Sequence, residues 1–343
     1  MPRNPKKNRG ARIALTVLCV VLGFILAVLL GATVLVNSML NRIGRVEETM
    51  PTLTVEEEKQ ILFETDPPEE FIGEILEPEA VTLPTAPAEI IETEDHVVNI
   101  LLIGQDRRPG EGRQRSDAMI LCTINTKEKT LTMTSFLRDL YVRFPDYNGR
   151  SYYDNRINAT YAIGGMEMLN DCLKLNFGIE VDHNIEVDFS GFEAIVDKLG
   201  GVDIELTGDE AYVVGGGARA GMNRLDGQQA LTYSRIRSLD NDFGRTNRQR
   251  KVLSAILSRV RDLDLQELAD LTESIFPLIT TDMTNAEIIR YVFEFFPMLQ
   301  DLEITTQHVP GDGMFYFANI RGMSVLVPDT DAICKMLKET IGS

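Results

Sequence analysis

Four polar clusters in this 343-residue chain set arginine beside aspartate at the ends of apolar runs. Gly104-Gln105-Asp106-Arg107-Arg108 follows one run, Arg115-Ser116-Asp117 precedes the next, and Arg138-Asp139 follows a third. The fourth cluster is Arg235-Ile236-Arg237, leading into Asp242-Phe243-Gly244-Arg245 and Arg248-Gln249. A guanidinium is a planar fork that matches phosphate oxygens and stays charged at any relevant pH. Two carboxylates that reach phosphate oxygens through Mg²⁺ make an economical magnesium site. Asp106 and Asp117 flank one loop whose ends belong to neighbouring strands, so they can approach each other. Each cluster alone reads as a solvated loop; together they point to chemistry on a magnesium-bound phosphate.

Arg235 and Arg237 are two residues apart, which makes them diverge on a helix and face the same way on an extended segment. A helix beginning near Leu225 is therefore expected to end around Tyr233. Arg245, Arg248 and Gln249 sit at helical spacing, and Val252, Leu253, Ile256 and Val260 continue the stripe. The N-terminus of that helix offers free N–H groups to an anion. Asp242 fits there either as the helix cap or as part of the chemistry. His96, His183 and His308 are scattered and do not make a histidine metal site. Asn158 and Tyr161 suit substrate contact or a helix start equally well.

The elements that must carry these groups follow from hydropathy periods. Strands are expected at Val97–Ile103, Met119–Asn125, Leu131–Phe136, Leu140–Phe144, Ile185–Phe189, Val202–Leu206, Ile304–Val309 and Met323–Val327. The second and third are joined by the polar turn Thr126–Thr130 as a hairpin. Helices are expected at Gly165–Leu175, after a Ser190 cap as far as Gly200-Gly201, and at Leu225–Thr232, Gly244–Leu263, Leu265–Phe276, Ala286–Leu299 and Pro328–Ile341. This alternation predicts an α/β fold: a mixed central sheet with helices on both faces, one domain of about 250 residues.

The formal net charge of -18 argues against nucleic acid as a partner, because a phosphate backbone demands a basic face. The charge is uneven. Residues 1–12 carry Arg3, Lys6, Lys7, Arg9 and Arg12 without an acid, and residues 46–95 carry sixteen acids against Lys59 alone. Between them Ile13 to Val36 is free of charge and exceeds the about 20 apolar residues that span a bilayer. The preceding basic cluster sets the N-terminus inside. A cleavable signal peptide is the rival, with an apolar core of usually about 7–15 residues. The expected order is a cytoplasmic basic tail at 1–12, a transmembrane helix at 13–36, an acidic Pro-rich extracytoplasmic linker at 37–95 and a catalytic domain at 96–343. The apolar islands of the linker, Phe71-Ile72 and Ile75-Leu76, have a second reading as isolated strands docked on the domain. Cys19, Cys122, Cys172 and Cys334 show no CxxC and read as small buried hydrophobes, with a disulfide as the alternative.

The stretches NILLIGQDRR, RSDAMILCTIN, SFLRDLYVRFP, RINATYAIGG, VDFSGFEAIVDKLGGVDIEL, LDGQQALTYSRIR and NDFGRTNRQR, in this order, resemble the LytR-CpsA-Psr family of envelope proteins. The resemblance covers about residues 97 to 261 and implies a three-layer αβα domain with a hydrophobic pocket for a polyprenyl tail. It implies a Mg²⁺-dependent, single-span phosphotransferase that moves teichoic acid, capsule or a related glycopolymer from a polyprenyl (undecaprenyl) pyrophosphate to peptidoglycan. By motif, Asp106 and Asp117 would hold the metal. Arg115, Arg138, Arg235, Arg237, Arg245 and Gln249 would contact the pyrophosphate, and Asp139 would orient an arginine or take the incoming proton, so that Asp139, Arg138 and Arg115 form the catalytic set. Leu137 stands where the family usually has proline, Ala118 where threonine is commoner and Gln105 where serine is commoner. A polyprenyl-pyrophosphate hydrolase using the same site, and a non-catalytic lipid- or glycan-binding regulator, are the alternatives.

Overall fold

The structure, a computed structural model, describes residues 37–45, 53–66, 73–106 and 113–342. The chain divides after Ile43 into two units. Of the first, residues 37–43 are described, with 37–40 helical. The basic tail and the expected span Ile13–Val36 lie outside the described residues. Among the described residues no helix is long and apolar enough to cross a membrane.

The second unit starts with β1 (Gly44–Arg45), α1 (Val55–Leu62) and β2 (Glu74–Leu76). β3 (Val97–Gln105), β4 (Ser116–Asn125) and β5 (Thr130–Phe136) follow, then the short β6 (Tyr141–Val142) and β7 (Asn155–Arg156) and the long α2 (Asn158–Phe177). β8 (His183–Asp188) leads to α3 (Phe189–Lys198), β9 (Val202–Leu206), α4 (Gly208–Val214), β10 (Gly221–Leu225), α5 (Gly227–Ser234) and α6 (Asp242–Arg261). The rest holds α7 (Leu265–Ile275), β11 (Thr280–Thr281), α8 (Asn285–Phe295), β12 (Glu303–Val309), β13 (Phe315–Ile320), β14 (Met323–Pro328) and α9 (Thr330–Ile341).

The main sheet has seven strands in the order β1-β11-β8-β3-β4-β5-β12. It is mixed: β3 runs parallel to β8 and antiparallel to β4, and β5 runs antiparallel to β4 and parallel to β12. β3 is apolar along nearly its whole length because both of its faces are covered. Leu101, Ile103, Met119 and Leu121 pack with α2 and α9, while Val98, Ile100, Ile120 and Cys122 pack with α6 and α8. The period of two along each strand thus feeds two separate helical layers, which is the αβα arrangement. A second cluster joins β9 and β10 to α3, α4, α5 and α6. A third lies under β13 and β14.

Several local expectations change. The acidic stretch is not a bare tether where it is described. α1 carries a full capping box at Thr54 and Glu57, β1 pairs with β11, β2 pairs with β13, and Leu83 and Ile91 are buried. The docked-strand reading of the islands therefore holds for Ile75-Leu76. Leu225 ends β10, and Asp226 rather than an earlier residue caps α5. Asp188, not Ser190, caps α3, and Asn241, not Asp242, caps α6, because each side chain accepts the N–H groups of the first turn. The strand expected at Leu140–Phe144 shrinks to β6. The helix expected from Gly165 begins at Asn158 and is broken at Gly165, whose φ of +66° leaves room for the Arg113 guanidinium. Cys122, Cys172 and Cys334 are free thiols, as the hydrophobe reading expects.

Candidate active site

Because β3, β5 and β8 run the same way, their carboxyl ends share one edge of the sheet with the start of β4. Ligand crevices of open α/β sheets form outside such ends. Asp106 follows directly on β3. On β4 the ladder jumps from Ala118, opposite Gly104, to Ser116, opposite Gln105, so Asp117 is left out of register and free to turn toward the edge. Arg138 and Asp139 leave β5 in a turn fixed by two backbone bonds. Leu137 N–H donates to Val309 O at 2.9 Å, and Asp139 O accepts from Leu326 N–H at 2.9 Å. Leu137, where the family usually has proline, gives the first of these bonds, which a proline could not make.

The α5–α6 connection brings the fourth cluster to the same edge. α5 ends at Ser234, close to the expected Tyr233, and Arg235 is its C-cap. Arg235 Nη2 lies 3.5 Å from Asp106 Oδ2, and Arg237 Nη2 lies 3.5 Å from Asp117 Oδ1. Arg138 stands at the centre. It lies 3.4 Å from Asp117, 3.3 Å from Asp139 and 3.7 Å from Asp242. Arg245 lies behind, 2 % exposed, with Nη2 2.7 Å from Asp242 Oδ1 and 3.4 Å from the carbonyl of Asp117. Arg115 turns toward the α1 segment, 2.9 Å from Glu64. Gln249 is half-buried on α6. Arg248, grouped with these in the sequence, does different work: buried, it bonds Glu210 at 2.9 Å and Asp240 at 2.6 and 3.0 Å. A side chain at Gly244 would collide with the Asp240 carboxylate.

Burial and charge oppose each other here. Burial works against the Arg138 cation, but Asp139, Asp242 and Asp117 outweigh it and hold that guanidinium above its ordinary value. Burial, then neighbouring Arg138, lowers Arg237. Burial pushes Arg245 down to about 10, still charged at neutral pH, and pushes the Asp242 carboxyl up. Ser116 Oγ, Asp242 Oδ2 and Arg245 Nε are buried without a hydrogen-bond partner among the described residues, and Arg138 Nε has only its ion pairs to Asp139 and Asp242. Such atoms are costly unless something else satisfies them.

The donor set suits Mg²⁺. Asp106 and Asp117 are partly exposed carboxylates on adjacent strands, and their arginine contacts are long. Among the described residues no group of three or more His, Cys, Asp or Glu forms a metal cluster. A magnesium ion held by one or two carboxylates is normally completed by phosphate oxygens and water, so the fit requires a phosphate ligand.

A cavity of about 200 Å³ opens beside Arg138, Asp139, Arg237 and Asp242 and is walled on its other side by Phe243, Phe317, Val325 and Leu326. Phe243 stacks on Phe315 at 5.2 Å, and Phe315 meets Phe317 edge-on at 5.3 Å, so an aromatic row runs from the charged groups onto β13. Small-molecule pockets usually measure about 300–1,000 Å³. This cavity lies below that range and is too small for a whole polyprenyl tail.

The LytR_cpsA_psr family model matches residues 74–341. The chain belongs to that family. It is 33% identical over 220 residues to the polyisoprenyl-teichoic acid–peptidoglycan teichoic acid transferase TagU of Bacillus mycoides, covering 63% of this chain and 69% of TagU. It is 34% identical over 165 residues to the regulatory protein MsrR of Staphylococcus aureus, covering 47% of this chain and 49% of MsrR. The chain thus spans about two thirds of the one relative and about half of the other. Among solved structures it resembles TagT bound to LI-WTA, with a TM-score of 0.60, 25% identity, and 76% of this chain and 97% of that one covered. B. subtilis TagT gives 0.59 and 25%, with 77% and 99% covered.

Family membership does not by itself single out every group at the edge. Arg156 was not among the expected site residues, although it lies in RINATYAIGG. It is 8 % exposed, sits 3.4 Å from Asp139 and also pairs with Asp66. Its signal was a lone cation inside an otherwise neutral motif. Glu64 and Asp66 were missed because the acidic stretch read as linker.

Proposed function

We propose that this edge binds the diphosphate of a polyprenyl-linked glycopolymer and transfers the glycopolymer phosphate to peptidoglycan. As a member of its family the protein is a glycopolymer–peptidoglycan transferase. The observation that carries the reading is the gathering of Arg138, Arg235 and Arg237, from two remote parts of the chain, around Asp106 and Asp117. A cluster of long, partly exposed ion pairs with buried orphan donors is suited to receive an anion rather than to hold the fold.

In the reaction a wall-sugar hydroxyl oxygen bonds to the polymer-side phosphorus. The bond from that phosphorus to the bridging oxygen breaks, and lipid phosphate leaves. The hydroxyl proton passes to Asp139 or to a phosphate oxygen. Phosphoryl transfer asks the protein mainly to position groups and to stabilise charge. Arg138 and Arg237 would meet the non-bridging oxygens, with Arg245 and Asp242 bracing Arg138 from behind. Arg235 and Gln249 would contact the outer part of the diphosphate, and Arg115 the face toward α1. Asp106 and Asp117 would hold Mg²⁺, which neutralises diphosphate charge when bound. Phe243 and Phe317 would take the first isoprene units of the carrier. We also propose that the run Ile13–Val36 anchors the chain with this unit on the outer face of the membrane, where both substrates lie.

The test is incubation of the full chain with a labelled polyprenyl-diphosphate glycan and peptidoglycan. Label should move to peptidoglycan, stop with EDTA and resume with Mg²⁺. Label released as free sugar phosphate would replace transfer by hydrolysis. Label left on the lipid under every condition would remove the catalytic reading.

A further inference from the structure

Among the described residues, six guanidinium groups gather at the candidate site, those of Arg115, Arg138, Arg156, Arg235, Arg237 and Arg245. The carboxylates of Asp106, Asp117, Asp139 and Asp242 balance four of them. The remaining two positive charges are met from an unexpected quarter, the segment that follows α1. Glu64 Oε2 lies 2.9 Å from Arg115 Nη1, and Asp66 pairs with Arg156.

This strap is tied down by its backbone. Asn155 Nδ2 donates to Leu62 O at 2.9 Å, Asp66 N–H donates to Gly322 O at 2.8 Å, and Arg115 also donates to Ile61 O. Ile61 and Leu62 pack on the main core. The two acids of the strap are not equivalent. Asp66 is 20 % exposed and accepts from both Arg156 and the Ser324 N–H, so it is built into the wall. Glu64 is 58 % exposed and reaches Arg115 from solvent.

We propose that Glu64 is an internal stand-in for an anionic ligand, holding Arg115 until a diphosphate displaces it, while Asp66 keeps the strap and Arg156 in place. The proposal rests on the reading of the cluster as a diphosphate site. The Glu64 end of this pair lies in solvent while Arg115 is 17 % exposed, and an ion pair with one partner open to water is weakened by salt. It yields to a ligand that brings several negative charges and other partners, whereas the dry Asp66–Arg156 pair stays. The strap thereby holds Arg115 between turnovers and makes a ligand compete for its first contact.

The experiment is calorimetric binding of inorganic pyrophosphate to the full chain at low ionic strength, with thermal unfolding of each variant to verify the fold. Glu64→Gln keeps the side-chain length and removes the charge. It should bind pyrophosphate up to about five-fold more tightly than the parent, the scale of one exposed ion pair. The gain should shrink in high salt and vanish when Arg115→Ala is added. If Glu64→Gln binds no more tightly while Arg115→Ala binds more weakly, the strap contact is only structural, and the proposal falls with the site intact. If Arg115→Ala changes nothing, Arg115 has no place in a diphosphate site, and the proposal falls together with that part of the functional reading.

Discussion

Two arginine–carboxylate clusters adjoin where Asp240 serves one and Asp242 the other, and they obey different physics. At Arg248 the bonds are 2.6–3.0 Å long to Glu210 and Asp240 and 3.2 Å to the carbonyl of Ile236; the guanidinium and Glu210 are buried, while Asp240 reaches it from the surface. At Arg138 and Arg237 the ion pairs are 3.3–3.7 Å long, open to solvent on one side and accompanied by orphan polar atoms. The first cluster is saturated and can only hold. It ties α6 to α4 and to the connection that carries Arg235 and Arg237. The second has spare hydrogen-bonding capacity among the described residues, which a bound anion could use. The same residue types therefore signal structure or function according to whether their bonds are already made.

The largest effect on stability should come from the saturated cluster. Arg248→Ala leaves Glu210 buried without its cation, and breaking a buried pair in this way costs roughly 3–5 kcal/mol. Chemical denaturation should show that loss, and pyrophosphate affinity should fall only as far as the folded fraction does. A variant as stable as the parent would place Arg248 among the ligand-seeking groups and erase the contrast.

The open cluster should answer in the opposite way. Arg235→Ala with Arg237→Ala removes two partly exposed cations whose pairs contribute little to folding. Transfer to peptidoglycan should fall by about 10²–10³ for each guanidinium taken away from the transition state, while the melting temperature stays within a few degrees. A large drop in melting temperature with unaltered turnover per folded molecule would show that these arginines are structural after all.

How much of this could be read from sequence follows the same division. The central strands were legible because β3 and β4 are short apolar runs bounded by polar or glycine residues and β5 alternates through Leu131 and Met133. The convergence of Asp106, Asp117 and Arg138 was legible because strand ends restrict where side chains go; Arg235 and Arg237 also reach this edge, but not from the extended stretch expected, since Arg235 is the helical C-cap of α5. Arg245 is the exception: its helical spacing placed it at the site, but burial sets it behind Asp242. Capping was less legible: Asp188, Asn241 and Asp226 each stand near another plausible cap, and the choice turns on one residue of backbone geometry. The acidic stretch misled because Glu64 and Asp66 look solvated in one dimension, and only the fold supplies Arg115 and Arg156 to meet them. β13 and α4 were missed for a related reason. The aromatic residues of β13 and the mixed residues of α4 show no clean period, since each element is covered on one side by only a small cluster.

The smallest effect sharpens the comparison through its sign. Burial alone would raise the Glu210 carboxyl, but the Thr207 N–H and the Arg248 guanidinium overcome this and hold it below the ordinary value of 4.5. At the open cluster burial dominates and lifts Asp242 above the ordinary 3.8, although Arg245 and Arg138 oppose it. A depressed carboxyl contributes stability above its unfolded value and loses it as pH falls through the folded one. A raised carboxyl contributes below its unfolded value and loses it as pH rises through the folded one. Glu210→Gln should therefore lie about 1–2 kcal/mol below the parent at neutral pH, the scale of a charge-assisted hydrogen bond, and converge on it as the solution is acidified below 4.5. Asp242→Asn should move the other way, gaining on the parent as pH climbs from 3.8. Urea unfolding of the three proteins across that range measures both slopes, and slopes of equal sign would mean that the two clusters do not differ in how burial and pairing are balanced.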